Sequence, residues 1–348
     1  RQVSSKMDLA RERVASILGA DTSEIVFTSC GTESNNYAIH SSLEAHPDKK
    51  HVITTKVEHP AVLNVCKYFG KNGYEVTELG VNNDGMLDLD ELRDSIRDNT
   101  AIVSIMHANN ETGVIFPIEE IGKIVKEKGV IFHCDAVQAI GKIPVNLKNS
   151  NIDLLSMSGH KLHAPKGVGV LFIRKGVRID PLIIGGHQED NRRSGTENVP
   201  YIIGLGKACE IAEGFVKQEQ TEVRRLRDRL EKGIKDQLTH VAISGENSER
   251  LPNTSNVSFE YVEGEATLLL LDMAGIATSS GSACTTGSAE PSHVLQAMGI
   301  PPVTSRGTIR FSLSRYSTED DVDYILEKLV PIVKRLQSLS PLFDDSQT

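Results

Sequence analysis

The pattern of hydrophobic and polar positions changes character along the chain. Through the first two hundred residues or so, short apolar runs alternate with amphipathic stretches. The runs "EIVFTS", "HVITTKV", "YEVTELGV", "AIVSIMHA", "VIFHCDA", "DLLSMS" and "VGVLFI" are rich in β-branched residues and have the length of strands. Between most of them lie "NNYAIHSSLEAH", "AVLNVCKYF", "LDELRDSIRD" and "IEEIGKIVKEKG", which carry helical periodicity. This alternation predicts an α/β fold: a mostly parallel seven-stranded sheet with helices on both faces. From Val199 to about Leu238 the pattern is one or two long helices. Then come "TSNVSFEYV", "ATLLLLDMAG", "VLQAMGI", "GTIRFSLS" and a final helix, "DDVDYILEKLVPIVKRLQSL", a mixture that predicts a smaller α+β domain. The expected division is 1–208 for the large domain and 209–348 for the C-terminal one, with the tail "SPLFDDSQT" frayed.

Composition narrows the function classes. The chain has 348 residues, 39% of them hydrophobic, enough for a large core. Its net charge of −9 argues against nucleic acid or an anionic membrane surface as a partner. The Arg-rich piece "VRRLRDRLEKGIK" interleaves acids at helical spacing and reads as a solvated helix face. No apolar run approaches the roughly 18 residues of a membrane span. The five cysteines are odd in number and form no C-x-x-C pair, so they are not a disulfide framework. A reducing compartment is expected, the cytoplasm first and an organelle matrix second. The opening "RQVSSKMDLARERVASILGA" contains Arg and Ser as a transit peptide does, but it also carries acids and ends at Gly19 like an ordinary helix. The sequence does not begin with Met, so a fragment or a processed form is expected.

In sheets of this kind ligands bind beyond the carboxyl ends of the strands, and several strand ends here carry polar clusters. "EIVFTS" leads into Cys30, Gly31, Thr32, Glu33, Ser34 and Asn35 at the start of a helix. That is either a plain helix cap or an anion site built from backbone N–H groups and a hydroxyl. "HVITTKV" leads into Glu58, His59 and Pro60, and "AIVSIMHA" into "NNETG", which alone is merely a loop. "VIFHCDA" leads into Val137 and Gln138. His133, Cys134 and Asp135 do not suggest a metal site, because successive strand residues point to opposite faces. His160 and His163 lack helical i, i+4 spacing, and no metal is expected. "KGVGVL" enters a strand rather than leaving one, so it is not a dinucleotide fingerprint.

The stretch "LLSMSGHKLHAPKGVGVLFI" places Lys161 in an elbow between two buried-looking strands. A lysine there is unfavourable unless it is paired or chemically used. A strand-end lysine, a strand-end Asp upstream and an anion site at a helix start together suit pyridoxal 5'-phosphate (PLP). Lysine would form the Schiff base, Asp would keep the pyridine nitrogen protonated, and the helix start would hold the phosphate. Ser158 and His160 lie beside the lysine and could donate to the same phosphate.

Eight stretches, "TSCGTESNN", "VEHPAVL", "NNETGV", "HCDAVQAIGK", "SGHKLHAPKG", "RRSGTEN", "SSGSACTTGSAEPSHVL" and "RFSLSRY", together resemble the cysteine desulfurases of iron–sulfur cluster assembly. These are fold-type I PLP enzymes related to class V aminotransferases, and the resemblance covers nearly the whole chain. It implies that Lys161 is the Schiff-base lysine, Asp135 the pyridinium partner and Gln138 a contact to the ring oxygen. It makes His59 the residue that stacks on the ring and handles protons. Gly31, Thr32, Ser158 and His160 would bind phosphate, with Thr196 reaching across from a second subunit of a homodimer. Asn110 and Arg310 would hold the carboxylate end of L-cysteine. Cys284 would accept the sulfur as a persulfide, release L-alanine, and pass sulfur to an acceptor or iron–sulfur scaffold protein. The family begins with a strand and an Asn-rich turn ahead of the point where this sequence starts, so the N-terminal edge of the substrate site is expected to lie outside it.

Cys284 separates this reading from its competitors. Its surroundings are small, polar and Gly-rich, which predicts an exposed, mobile loop. A class V aminotransferase acting on a small amino acid would share Lys161 and Asp135 but have no need of that thiol. Selenocysteine cleavage is a narrower variant. An inactive scaffold-binding partner would have no need of Lys161, Asp135 and Cys284 together.

Overall fold

All seven apolar runs form strands of one sheet, in the order β1-β7-β6-β5-β4-β2-β3. The structure is a computed structural model that describes residues 1–280, 291–341 and 343. The strands are β1 (Ile25–Thr28), β2 (His51–Thr55), β3 (Glu75–Leu79), β4 (Thr100–Ser104), β5 (Ile131–Asp135), β6 (Leu154–Ser158) and β7 (Gly169–Ile173). β3, β2, β4, β5 and β6 run parallel. β7 is antiparallel to both of its neighbours. The reason is local: the link from Gly159 to Val168 holds only a short 3-10 turn, whereas a parallel return needs a crossover of a dozen or more residues. Lys161 stands in that turn.

The central strands are buried along their length, as a sheet covered on both faces requires. The covering helices are α1 (Gln2–Leu18), α2 (Gly31–Ala45), α3 (Pro60–Lys71), α4 (Leu89–Ser95), α5 (Ile118–Glu127) and α6 (Val199–Gln218). Their ends follow the local code. α1 stops at Gly19 in the left-handed conformation, φ 58°. α3 starts with Pro60 behind the His59 cap. The Asp88 carboxylate caps α4 by accepting from Asp90 N at 2.8 Å. Tyr37, Ile39, Leu43, Val62, Ile102 and Leu154 meet in the core between α2, α3 and the sheet.

Contacts divide the chain into two units. The first comprises residues 1–80, 87–108 and 116–216 and contains the seven-stranded sheet. The second comprises 81–86, 109–115 and 217 onward. Its sheet has the order β10-β11-β9-β8, all antiparallel. The strands are β8 (Val241–Ile243), β9 (Thr254–Phe259), β10 (Ser279–Ser280) and β11 (Thr308–Ser312). With them go α7 (Arg224–Gln237), α8 (Gly264–Met273), α9 (His293–Ala297), α10 (Pro302–Arg306) and α11 (Glu319–Leu339). Leu230, Ile234, Val257, Phe259, Leu271 and Leu329 share its core. A π-helical turn, Glu219–Val223, joins α6 to α7.

Candidate functional site

In the first unit the polar candidate residues gather beyond the carboxyl ends of β1, β5 and β6. Asp135 closes β5 and is buried. Its Oδ2 accepts from Asn35 Nδ2 at 2.7 Å and its Oδ1 from Val137 N at 3.0 Å. Burial pushes its pKa up, while these two donors and the charges of His59 and Lys161 pull the other way; the net direction is upward. A buried carboxylate placed like this is most stable beside a cation.

Gly31 opens α2 directly after β1, and a Cβ there would come within 2.9 Å of Val137 Cγ2 and 3.3 Å of Ser158 Cβ. Only glycine lets the helix start approach the ends of β5 and β6 this closely. Cys30 caps α2 without a side-chain hydrogen bond, so its thiol takes up none of the first-turn N–H groups. Thr32 is exposed on that turn and Ser158 is buried at the end of β6. Glu33 turns away: it accepts from Ser29 N at 2.8 Å and from Arg193 Nε, also at 2.8 Å. Its pKa is lowered, since these donors and the Arg193 charge together outweigh burial.

Lys161 is half-buried and His160 exposed in the β6–β7 elbow, which Gly159 N and Val168 O close at 3.0 Å. The His160 pKa is lowered by burial and by the Lys161 and Lys166 charges. His59 accepts from Ala61 N through Nδ1 at 3.1 Å, which puts the proton of the neutral ring on Nε2. Beside it Glu58 is fully buried and accepts from Thr55 Oγ1 and Met106 N, both at 2.9 Å. Burial raises its pKa to about 8. Gln138 is half-buried in the turn that Ala139 N and Ala136 O close at 3.0 Å. Thr196 is exposed and lines a cleft with Thr28, Ser29, Val168 and Arg193.

The second unit brings two more of the expected residues together. Arg310 lies on β11 between Asn256 of β9 and Ser279 of β10. Its Nη1 donates to the Asn110 carbonyl at 2.6 Å. Asn110 sits in a turn closed by Gly113 N and Asn109 O at 3.0 Å. Cys284 lies outside the described residues.

Asn35 stands in the quoted cluster, yet the sequence reading assigns it no role. The signal is its place one turn beyond Gly31, on the helix face that looks back at the strand ends. His133 is engaged on both ring nitrogens, by Ser104 Oγ at 2.8 Å and Ser156 Oγ at 2.9 Å, and burial lowers its pKa to about 3.

Comparison with known proteins identifies the class. The family described as Aminotransferase class-V matches residues 1–325, and the chain belongs to that family. Within it the chain groups with the cysteine desulfurases. It is 59% identical over 344 residues to a cysteine desulfurase of Nostoc sp., covering 99% of this chain and 86% of that protein. It is 55% identical to the cysteine desulfurase NifS of Azotobacter vinelandii, covering 98% of this chain and 85% of that protein. A solved structure described as a NifS-like protein superposes with a TM-score of 0.90 at 42% identity, covering 96% of this chain and 89% of that one.

The family is PLP-dependent, and the residues present fit that cofactor. The donor set offers a buried carboxylate, a helix start whose own cap residue leaves it open, and a primary amine. Asn35 Oδ1 is buried with no hydrogen-bond partner among the described residues, as expected of a cradle built to hold a further group.

Proposed function

We propose that the chain is a PLP-dependent cysteine desulfurase that takes sulfur from L-cysteine, releases L-alanine and hands the sulfur to an acceptor protein. The observation that carries this reading is the identity of more than half, over nearly the whole chain, to cysteine desulfurases. The cradle around Asp135 supports it independently.

When bound, PLP supplies an electron sink for the substrate's α-carbon. Lys161 anchors it and Asp135 holds its ring nitrogen as a cation. Asn35 locks Asp135 in orientation, and Gln138 meets the ring oxygen. Gly31, Thr32, Ser158 and His160 hold the phosphate, with Thr196 contributed across the boundary of a homodimer. His59 would lie against the ring, with its Nε2 proton available for transfer. Asn110 and Arg310 hold the substrate carboxylate. The Cys284 thiolate attacks the substrate sulfur: the carbon–sulfur bond breaks, a sulfur–sulfur bond forms, and a proton completes alanine. The described cysteines Cys30, Cys66, Cys134 and Cys209 are unpaired, which supports a reducing cytoplasmic setting. No described helix is long and apolar enough to cross a membrane. The sulfur acceptor is an iron–sulfur scaffold protein or a thiolation factor.

Incubation with L-cysteine and a reductant tests the reading. Sulfide and alanine should appear in equal amounts. Pyruvate in place of alanine, or keto-acid-dependent amino transfer without sulfide, would replace the proposal with a lyase or an aminotransferase.

A further inference from the structure

The second unit holds a buried carboxyl to which the roles above give no task. Glu111 follows Asn110 and is 5% exposed. The turn fixes its backbone: Glu111 N and Thr112 N both donate to Asn109 Oδ1, at 2.9 and 3.0 Å. Its Oε2 accepts from the Ser292 hydroxyl at 2.5 Å. That hydroxyl oxygen in turn accepts from Val294 N and Leu295 N at the head of α9, at 3.1 and 3.3 Å, so the anchor is itself held.

The opposite charge acting on Glu111 is Arg310. Arg310 Nη1 is engaged by the Asn110 carbonyl, whereas its Nε is buried with no hydrogen-bond partner among the described residues. The nearby turn also bridges Val114 to Arg250, but that guanidinium is taken by Glu231 at 2.7 and 2.9 Å. Arg310, held against the carbonyl of the residue before Glu111, is thus the cation whose charge reaches Glu111, and it is the same cation assigned above to the substrate carboxylate.

We infer that Glu111 competes with the substrate carboxylate for Arg310, so that binding of the amino acid draws a proton from solvent onto Glu111. This rests on the assignment of Arg310 made above. Two carboxylates beside one guanidinium do not both stay ionised cheaply in a buried site. Burial already raises the Glu111 pKa to about 7, against the Ser292 bond and the Arg310 charge. A protonated Glu111 still has a carbonyl oxygen to accept from Ser292, so the turn survives the change. Glu111 is thus a positioning residue that sets how tightly Arg310 grips its ligand, and at which pH. Below the Glu111 pKa the cation is fully available; above it, an ionised Glu111 must be displaced or protonated, and binding weakens.

The test is calorimetric titration of holoenzyme with L-alanine, which has the carboxylate but no sulfur to lose, in two buffers of different ionisation enthalpy. The wild type should take up a larger fraction of a proton per alanine than Glu111→Gln. Its affinity should fall more steeply, by several-fold more between about pH 6 and pH 8. Protons of the amine and cofactor are common to both proteins, so the difference isolates Glu111. Equal proton counts and equal slopes would overturn the inference. Ser292→Ala gives a second arm if the first variant folds poorly. It keeps the carboxyl but loses a donor that favours the anion, so the midpoint of the affinity profile should move to higher pH; an unmoved midpoint would overturn the inference. Arg310→Gln separates the two levels of the argument. If alanine still binds it as tightly as wild type, the carboxylate assignment fails. If binding is lost there but wild type and Glu111→Gln behave alike, only the coupling fails.

Discussion

Asp135 in the first unit and Glu111 in the second are both carboxyls at the ends of buried polar turns, and burial raises the pKa of each. They differ in what holds them. Asp135 receives two N–H donors, one from the backbone and one from the buried Asn35 amide on α2. Both bonds, as oriented, favour the anion and hold it in one orientation. Glu111 receives one hydroxyl, which favours the anion yet can still donate to the carbonyl oxygen of a protonated partner. On the assignments proposed above, the first carboxyl stays charged beside a cation and the second changes its protonation. Burial alone does not decide what a carboxyl is for; the donor set around it does.

The comparison breaks most visibly at Asp135. Asp135→Asn keeps the size of the side chain and loses the charge, so it should leave a folded protein whose turnover falls by orders of magnitude. Steady-state alanine formation measures this, and activity within a few-fold of wild type would remove Asp135 from the centre of the cradle.

The second unit should be fragile elsewhere. Arg250 and Glu231 form a buried two-pronged pair, and Arg227 Nη1 donates to the Leu251 carbonyl at 2.7 Å in the same loop. Glu231→Gln leaves the guanidinium uncompensated and should cost about 3–5 kcal/mol, read by denaturant unfolding. Asn35→Ala probes the first unit more gently. It strips Asp135 of one donor and should cost about 1–3 kcal/mol, divided between stability and turnover. A loss in unfolding free energy with turnover unchanged would make Asn35 a packing residue only.

Glu58 gives an effect confined to the pH dependence of stability. Its pKa rises on folding from an ordinary carboxyl value to about 8, through burial. Between those two values the unfolded chain has released the proton and the folded one retains it. The Glu58 contribution to stability therefore falls as pH rises through that window and levels off above about 8. Glu58→Gln should flatten this part of the curve in thermal unfolding followed against pH; an unchanged slope would assign it to other groups.

Much of this was legible in the sequence because parallel strands buried on both faces leave uninterrupted β-branched runs. "VIFHCDA" and "DLLSMS" announce β5 and β6 with little help from context. The elbow lysine stood out because an ammonium between two such runs needs a reason. The smaller sheet was harder to read: β8 spans Val241–Ile243 and β10 only Ser279–Ser280, too short to show a period. Asn35 and Glu111 were named only as parts of clusters. Their partners, Asp135 and Ser292, lie far along the chain, and a hydrogen bond across such a distance leaves no local trace. The association of 81–86 and 109–115 with the C-terminal unit is equally silent, since it rests on tertiary pairing such as Leu251 N to Gly113 O at 2.8 Å.

The central claim is that sulfur leaves cysteine onto Cys284. The direct measurement is mass spectrometry of the peptide carrying Cys284 after a single exposure of holoenzyme to L-cysteine without reductant, with alanine counted in the same sample. The account predicts one added sulfur atom on Cys284 and one alanine per active site, both lost in Cys284→Ser while PLP remains bound. Alanine released by Cys284→Ser at the wild-type rate, with no sulfur added to Cys284 in the parent protein, would contradict it.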